Sequence, residues 1–171
     1  MESKLALTVD GEEHTIVVDN RTTLLDALRD HLGSTAPKKG CDHGQCGSCT
    51  VLEDDRRVTT CLSLAVAHDG ASIVTASGLS GDDGLHPMQQ AFIDQDAFQC
   101  GYCTPGQICS AIGMLAEAAD GSPSFVTDDL AEAPSLTDAE IRERLSGNLC
   151  RCGAYVNIVA AVKQAAEEGA A

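Results

Sequence analysis

The sequence predicts an α+β protein made of a small mixed sheet followed by a group of helices. Its 171 residues allow one domain or two small ones. Near residue 80 the apolar pattern changes from the alternation typical of strands to the spacing typical of amphipathic helices. We therefore predict a first domain at residues 1–78, a linker at 79–84 and a helical domain at 85–171.

The first domain is predicted to contain five short strands and one helix. Asp10-Gly11 lies between the first two strands and is typical of a hairpin turn. Thr23 precedes a helix predicted at residues 24–32, as its N-cap, with Asp26 as the capping-box partner. The strands are predicted at residues 4–9, 14–18, 50–52, 57–60 and 72–75.

The second domain has helical apolar spacing in four stretches, which predicts a four-helix bundle. Thr137 and Glu140 form a capping-box pattern at the start of the third stretch. The acidic segment 118–136 is predicted to be a surface loop, and the Gly-, Ser- and Asp-rich segment 76–84 is typical of a linker. The helices are predicted at residues 87–97, 104–117, 137–145 and 155–168.

The charge of the chain limits its partners. The formal net charge is −15 and the sequence has no cluster of Lys and Arg, which argues against binding to nucleic acid phosphates or to an anionic membrane surface. No apolar run approaches the roughly 18 residues that a membrane-spanning helix needs. We predict no nucleic acid partner and no membrane association.

Eight of the nine cysteines fall into two sets of four. The first set has the spacing C-x4-C-x2-C-x11-C, which begins like the cluster loop of a plant-type [2Fe-2S] ferredoxin. The second set consists of a C-x2-C pair and a C-x-C pair. We predict that each set holds one [2Fe-2S] cluster through four thiolates. The sets are Cys41, Cys46, Cys49 and Cys61, and Cys100, Cys103, Cys150 and Cys152.

Small residues surround the first cysteines. Gly40, Gly44 and Gly47 would let the backbone approach a cluster closely and point its amides at sulfur. Such hydrogen bonds help to set the reduction potential of a cluster. We predict Gly47 as a backbone contact of the first cluster.

Disulfides, zinc and a Rieske centre are alternative interpretations of these cysteines. Disulfides are disfavoured because the number of cysteines is odd and residues 1–10 contain no basic-then-apolar leader. Zinc stays open for the second set, although the loop between its two pairs is longer than in usual zinc ribbons. His43 could replace a ligand as in a Rieske centre, but four cysteines are already available there. Cys109 lies in an apolar helical stretch and is predicted to be buried.

The sequence contains no motif of a catalytic centre. A phosphate loop, a dinucleotide fingerprint and a nucleophile elbow are all missing from it. This pattern favours a protein that carries electrons. A subunit of a larger oxidoreductase and a free-standing two-cluster ferredoxin-type carrier are both compatible with it.

Three stretches of the chain resemble one protein family. They are GCDHGQCGSCTV at residues 40–51, QCGYCTPGQI at 99–108 and GNLCRCGAY at 147–155. Together they resemble the iron-sulfur subunit of the xanthine dehydrogenase and aldehyde oxidase family of molybdenum hydroxylases. The resemblance implies an N-terminal β-grasp, ferredoxin-like [2Fe-2S] domain followed by a four-helix bundle with the second cluster.

The resemblance also implies partners and a direction of electron flow. In this family a large subunit binds molybdopterin, often as its cytosine dinucleotide, and a medium subunit binds FAD. Electrons leave the substrate at molybdenum, pass the cluster of the second cysteine set and then that of the first, and reach FAD. The chain would be the electron-transfer subunit of a heterotrimeric molybdenum-dependent oxidoreductase, with no catalytic residue of its own.

The same resemblance implies roles for further residues. Gln99 and Cys152 match positions that approach the pterin cofactor, Tyr102 matches a packing position and Pro105 a helix start. The stretch at residues 98–115, FQCGYCTPGQICSAIGML, is nearest to the aldehyde-oxidising branch. Relatives there can carry an export leader. Since residues 1–10 show none and thiolates suit a reducing compartment, we expect a cytoplasmic protein.

Overall fold

The computed structural model describes residues 1–81 and 84–169, which form a mixed sheet followed by helices. The predicted α+β order of sheet first and helices second is confirmed. The strands are β1 Glu2–Val9, β2 Glu12–Asp19, β3 Thr50–Glu53, β4 Arg56–Thr59 and β5 Ser72–Val74. The helices are α1 Leu24–Asp26, α2 Pro87–Asp94, α3 Thr104–Ala119, α4 Asp138–Arg144 and α5 Tyr155–Glu167.

The sheet grows from the predicted hairpin. Strands β1 and β2 pair antiparallel, from Glu2 opposite Asp19 to Val9 opposite Glu12. The turn residue Asp10 has φ 51° and its neighbour Gly11 has φ 84°, the positive values that a type I′ turn requires. The strand order is β2-β1-β5-β3-β4. Only the β1–β5 pair is parallel among the described pairs, so the sheet is mixed.

The first helix differs from its prediction after one turn. Thr23 Oγ1 accepts a hydrogen bond from Asp26 N at 3.1 Å, so the predicted N-cap is confirmed. The chain then widens into a π-helical segment at Ala27–His31, where a regular helix was predicted. Leu25 in α1 is buried against the first cysteine set, and Leu28 in the π-helical segment is buried in the sheet core.

The sheet half and the helical half each have their own apolar core. The sheet and α1 share one of them, which includes Leu7, Val18, Leu24, Val51 and Ile73. Helices α2 to α5 share the other, which includes Met88, Phe92, Met114, Ile141 and Val162. Helix α5 packs on both α2 and α4, and α3 packs on α2.

Helix caps in the second half partly depart from the predicted pattern. His86 caps α2: its Nδ1 accepts from the backbone at 3.1 Å while Gln89 Oε1 accepts from His86 N at 2.9 Å. Thr137 Oγ1 accepts from Glu140 N at 3.2 Å, as predicted. The Glu140 carboxylate accepts from Arg144 Nε at 3.0 Å, so its predicted capping-box role is wrong. Arg144 is buried and needs a counter-charge there.

The two halves contact each other directly along α3, which packs on β3 and β4. A Cβ atom added to Gly106 would lie 2.5 Å from Gly47 O, so a glycine allows this approach. Further along α3, Arg57 donates from Nε to Glu117 Oε1 at 2.8 Å and from Nη1 to Ser110 Oγ at 3.2 Å. These contacts tie the sheet to the helices.

The segment predicted to be a linker is hydrogen-bonded to both halves. Ser77 N donates to Thr75 Oγ1 at 3.2 Å, and Gln89 Nε2 donates to Ala76 O at 2.8 Å. Asp82 and Asp83, which belong to the predicted linker, lie outside the described residues. The surface loop predicted at 118–136 is confirmed for residues 120–136, which form a largely exposed segment between α3 and α4, whereas residues 118 and 119 still belong to α3. Among the described residues no helix has both the length and the apolar character needed to cross a bilayer.

Candidate metal centres

The first cysteine set surrounds the loop that leads into β3. Cys49 and Cys61 are buried beside Leu25, whereas Cys41 and Cys46 are partly exposed. The side chains of Cys41 and Cys46 lie within hydrogen-bonding range of each other, and so do those of Cys49 and Cys61. The loop thus brings together the four cysteines of the predicted first cluster.

Backbone amides of this loop point at sulfur. Gly44 N donates to Cys61 Sγ at 3.2 Å, and Gln45 N donates to Cys41 Sγ at 3.3 Å. The N–H of His43 is the main cause that lowers the pKa of Cys41 to about 6. Burial instead raises the pKa of Cys61 to about 12, so ligation must displace its proton. The loop stabilises negative charge on sulfur at its exposed side.

The second cysteine set lies where two helices begin. Cys103 directly precedes α3, and Cys150 and Cys152 lie in the turn before α5. The side chains of Cys103 and Cys150 are within hydrogen-bonding range, and the charge of Cys100 acts on Cys103. Burial raises the pKa of Cys103 to about 12. At Cys150 burial also acts to raise the pKa, but backbone N–H groups, led by that of Ala154, outweigh it and lower the pKa.

The thiols of the first set form two close pairs, and Cys103 and Cys150 form one close pair in the second set. Within residues 1–81 and 84–169, no three His, Cys, Asp or Glu side chains converge as ligands of a single ion would. A [2Fe-2S] cluster has two irons, each with two protein ligands. Paired thiols with N–H donors directed at them fit such a cluster. A groove of about 470 Å³ between the two sets is lined by cysteines of both.

Direct hydrogen bonds join the two cysteine loops. Leu149 N donates to Cys46 O at 2.9 Å, and Tyr102 Oη donates to Lys39 O at 2.7 Å. Leu149 directly precedes Cys150 of the second set, so the first of these bonds links a neighbour of that cysteine to Cys46 of the first set. Tyr102 is 48% exposed and its hydroxyl connects the loops; the packing role implied by resemblance stays a prediction.

The other predicted site residues lie at or near these loops. Gln99 Nε2 donates to Cys152 O at 3.4 Å, so the structure brings together the two residues expected to approach a pterin cofactor. Gly47 has φ +67° and lies between the two sets. His43 Nδ1 lies 2.5 Å from Cys41 O, directed at the backbone. Cys109 is fully buried, as predicted.

Sequence reasoning missed two residues of this region. Asn148 is buried and its side chain donates to Gly47 O at 3.0 Å. Tyr155 Oη accepts from Cys150 N at 2.7 Å. Both lie in the stretch GNLCRCGAY, beside the cysteine ligands. An amide side chain two residues before a predicted ligand was the available signal for Asn148.

Comparisons with known proteins agree with this geometry. Residues 7–71 match the family model described as "2Fe-2S iron-sulfur cluster binding domain". Residues 75–163 match the model described as "[2Fe-2S] binding domain". The chain is therefore a tandem of two iron-sulfur domains.

Similar proteins place this tandem in a family. The aldehyde oxidoreductase iron-sulfur-binding subunit PaoA of Escherichia coli K12 is 60% identical over 164 residues, 96% of this chain and 72% of the relative. The nicotinate dehydrogenase small FeS subunit of Eubacterium barkeri is 41% identical, covering 94% of this chain and 93% of the relative. The crystal structure of quinoline 2-oxidoreductase from Pseudomonas putida 86 matches with TM-score 0.79, 36% identity and 99% coverage of each chain. The chain belongs to the iron-sulfur subunits of the xanthine dehydrogenase and aldehyde oxidase family of molybdenum hydroxylases.

Proposed function

We propose that this chain is the electron-transfer subunit of a molybdenum-dependent aldehyde oxidoreductase. It carries electrons from a molybdopterin centre, in its cytosine dinucleotide form, in a large subunit to FAD in a medium subunit. The observation that supports this most directly is the pair of cysteine sets joined by the hydrogen bond from Leu149 N to Cys46 O at 2.9 Å. Aldehyde as substrate is inferred from the 60% identity to PaoA.

Eight cysteines are the proposed ligands. Those of the helical half hold the cluster nearer to molybdenum, and those of the sheet half hold the cluster nearer to the flavin. When bound, each cluster supplies reversible one-electron transfer. The chain's own contribution is to hold the sulfur atoms, to donate N–H groups to them and to exclude water from the buried ligands. The two sets are Cys100, Cys103, Cys150 and Cys152, and Cys41, Cys46, Cys49 and Cys61.

Gln99 and Cys152 are the proposed contacts with the pterin cofactor. The hydrogen bond from Gln99 Nε2 to Cys152 O supports this, because it orients both residues at the exposed side of the second set. The side-chain oxygen of Gln99 then remains available for a polar ligand. Gly47 is the proposed backbone contact of the first cluster.

Exposed apolar side chains favour a subunit over a free-standing carrier. Beside the first set, Leu62 is 68% exposed, and beside the second set Val156 is 76% exposed. Phe98 and Leu149 extend the second patch. Clustered exposed apolar surface of this kind marks protein interfaces. A free ferredoxin has no need of it.

The finer fold and location belong to the same proposal. The mixed sheet with α1 and the cysteine loop is a β-grasp domain, and helices α2 to α5 form a four-helix bundle. Domain limits of 1–78 and 85–171 follow from this division. None of the nine cysteines is paired in a disulfide, which suits the reducing cytoplasm.

Metal analysis and copurification test the proposal. Anaerobically reconstituted chain is expected to bind about four iron and about four sulfide ions and to give two distinct EPR signals after reduction. About two iron ions per chain would contradict it. Coexpression with the neighbouring genes should yield a complex that contains molybdenum and flavin, whereas a chain that purifies alone with both clusters would support the free-standing carrier.

A further inference from the structure

We infer that Asn148 sets the separation and relative orientation of the two clusters, as a positioning residue for electron transfer between them. This inference rests on the proposed function, since it requires both cysteine sets to hold a cluster. Asn148 is buried at 5% exposure. It lies two residues before Cys150, and its side chain reaches the backbone of both cysteine loops.

The side-chain amide of Asn148 bonds to residues that are far from it in the sequence. Asn148 Nδ2 donates to Gly47 O at 3.0 Å, between Cys46 and Cys49 of the first set. It also donates to Gly106 O at 3.2 Å, in the first turn of the helix that follows Cys103. A primary amide has two N–H donors on one nitrogen, so one side chain can bind both carbonyls at once.

The main chain of the same residue completes the junction. Asn148 O accepts from Gln107 Nε2 at 2.9 Å, and Gln107 is itself buried. The next residue, Leu149, makes the backbone bond to Cys46 O. The position of Asn148 therefore determines where Cys150 lies relative to Cys46.

Two glycines permit this close packing. A Cβ atom on Gly47 would lie 2.7 Å from Asn148 Nδ2, and one on Gly106 would lie 2.5 Å from Gly47 O. Both distances are shorter than Cβ contacts allow. The junction is thus a close three-way contact of Asn148, Gly47 and Gly106. A larger side chain at either glycine must displace one cysteine loop from the other.

The consequence for function follows from distance. Electron tunnelling between two centres falls exponentially as the gap between them grows, and the magnetic dipole interaction of two reduced clusters falls with the cube of their separation. Both quantities depend on the junction that Asn148 holds. The iron content of each cysteine set does not depend on this junction, because Asn148 is not a ligand.

The test compares variants by pulsed EPR of the fully reduced, reconstituted full-length chain. Asn148→Asp keeps the size of the side chain but removes both N–H donors, and Asn148→Ala removes the side chain. Both are expected to retain two integrated cluster signals and to lose part of the dipolar interaction seen in the parent. Gly106→Ala keeps Asn148 but displaces Gly47. This variant is also expected to lose part of the dipolar interaction.

The matched control is Arg57→Met. Arg57 also joins the two halves, through Glu117, Ser110 and Arg144 O, but within the described part of the chain none of its hydrogen bonds reaches a cysteine loop. Its variant should lose stability and keep the parental dipolar interaction.

Each outcome decides one question. Parental interaction in all three junction variants would overturn the inference, as would an equal loss in Arg57→Met or no interaction in the parent chain. A parent with only one cluster signal would instead refute the proposed function. If an Asn148 variant does not fold, Gly106→Ala still decides the inference.

Discussion

Gly47→Ala should destabilise the protein far more than the same change at Gly33. Gly47 has φ +67° and Gly33 has φ +74°, so both substitutions force alanine into the left-handed region at a cost of about 1–2 kcal/mol. Around Gly33 no atom lies within 4 Å of the added Cβ. At Gly47 the added Cβ would lie 2.5 Å from Gly147 O, a backbone atom that cannot rotate away.

The difference between the two variants measures the steric cost alone. Overpacking of a tight contact costs about 1–3 kcal/mol. For a chain of this size about 1 kcal/mol corresponds to roughly 2–4 °C in the melting temperature. Gly47→Ala is therefore expected to melt about 2–12 °C below Gly33→Ala.

The assay is thermal denaturation of the reconstituted chain, followed by far-UV circular dichroism and by loss of the visible cluster absorbance. Unfolding that releases iron is irreversible, so both variants must be heated at the same scan rate. Equal melting temperatures for the two alanine variants would refute the reasoning, because they would show that the junction opens without cost.

Three further predictions concern other parts of the chain. Cys103→Ser should abolish the EPR signal of the second cluster and leave that of the first, because the ligand sets are separate; loss of both signals would contradict this. Arg57→Met should lower the free energy of unfolding by about 2–4 kcal/mol, since charged hydrogen bonds to Glu117 are lost, and Arg57→Lys should restore only part of it in thermal melts. Glu140 has a lowered pKa: burial acts to raise it, but Thr127, Ser124 and Arg144 outweigh burial. Its charge therefore stabilises the fold above the ordinary pKa of 4.5, and this contribution is lost as pH falls through the lower pKa of the folded state. Glu140→Gln should be less stable by about 3 kcal/mol at pH 7 and should lose less stability on acidification; an unchanged pH dependence of the melting temperature would count against this assignment.

Local signals predicted most of the fold. The Asp10-Gly11 turn and its flanking alternation are confirmed because a two-residue hairpin depends on positive φ at neighbouring positions. Thr23 and Thr137 are confirmed as N-caps for a similar reason, since a cap bonds within its own turn. Glu140 was misassigned because its choice between the cap and Arg144 depends on burial, which spacing alone does not reveal.

The candidate site divides in the same way. The eight cysteines were predicted from spacing, because most of them lie within a few residues of another ligand of the same set. The hydrogen bond of Tyr102 was not predicted because its hydroxyl binds Lys39 O, which lies 63 residues earlier in the chain. Cluster loops have a recognisable cysteine spacing in the sequence. Contacts between two distant loops produce no such pattern of residue types.

The sequence alone determined the α+β order, the two ligand sets and the family resemblance, since each depends on residue types at short spacing. Only the tertiary structure decided how the two sets meet. Asn148 and Gly47 are 101 residues apart, yet they share a hydrogen bond of 3.0 Å. Their contact exists only because α3 packs against β3, so that buried polar groups of one half find their partners in the other.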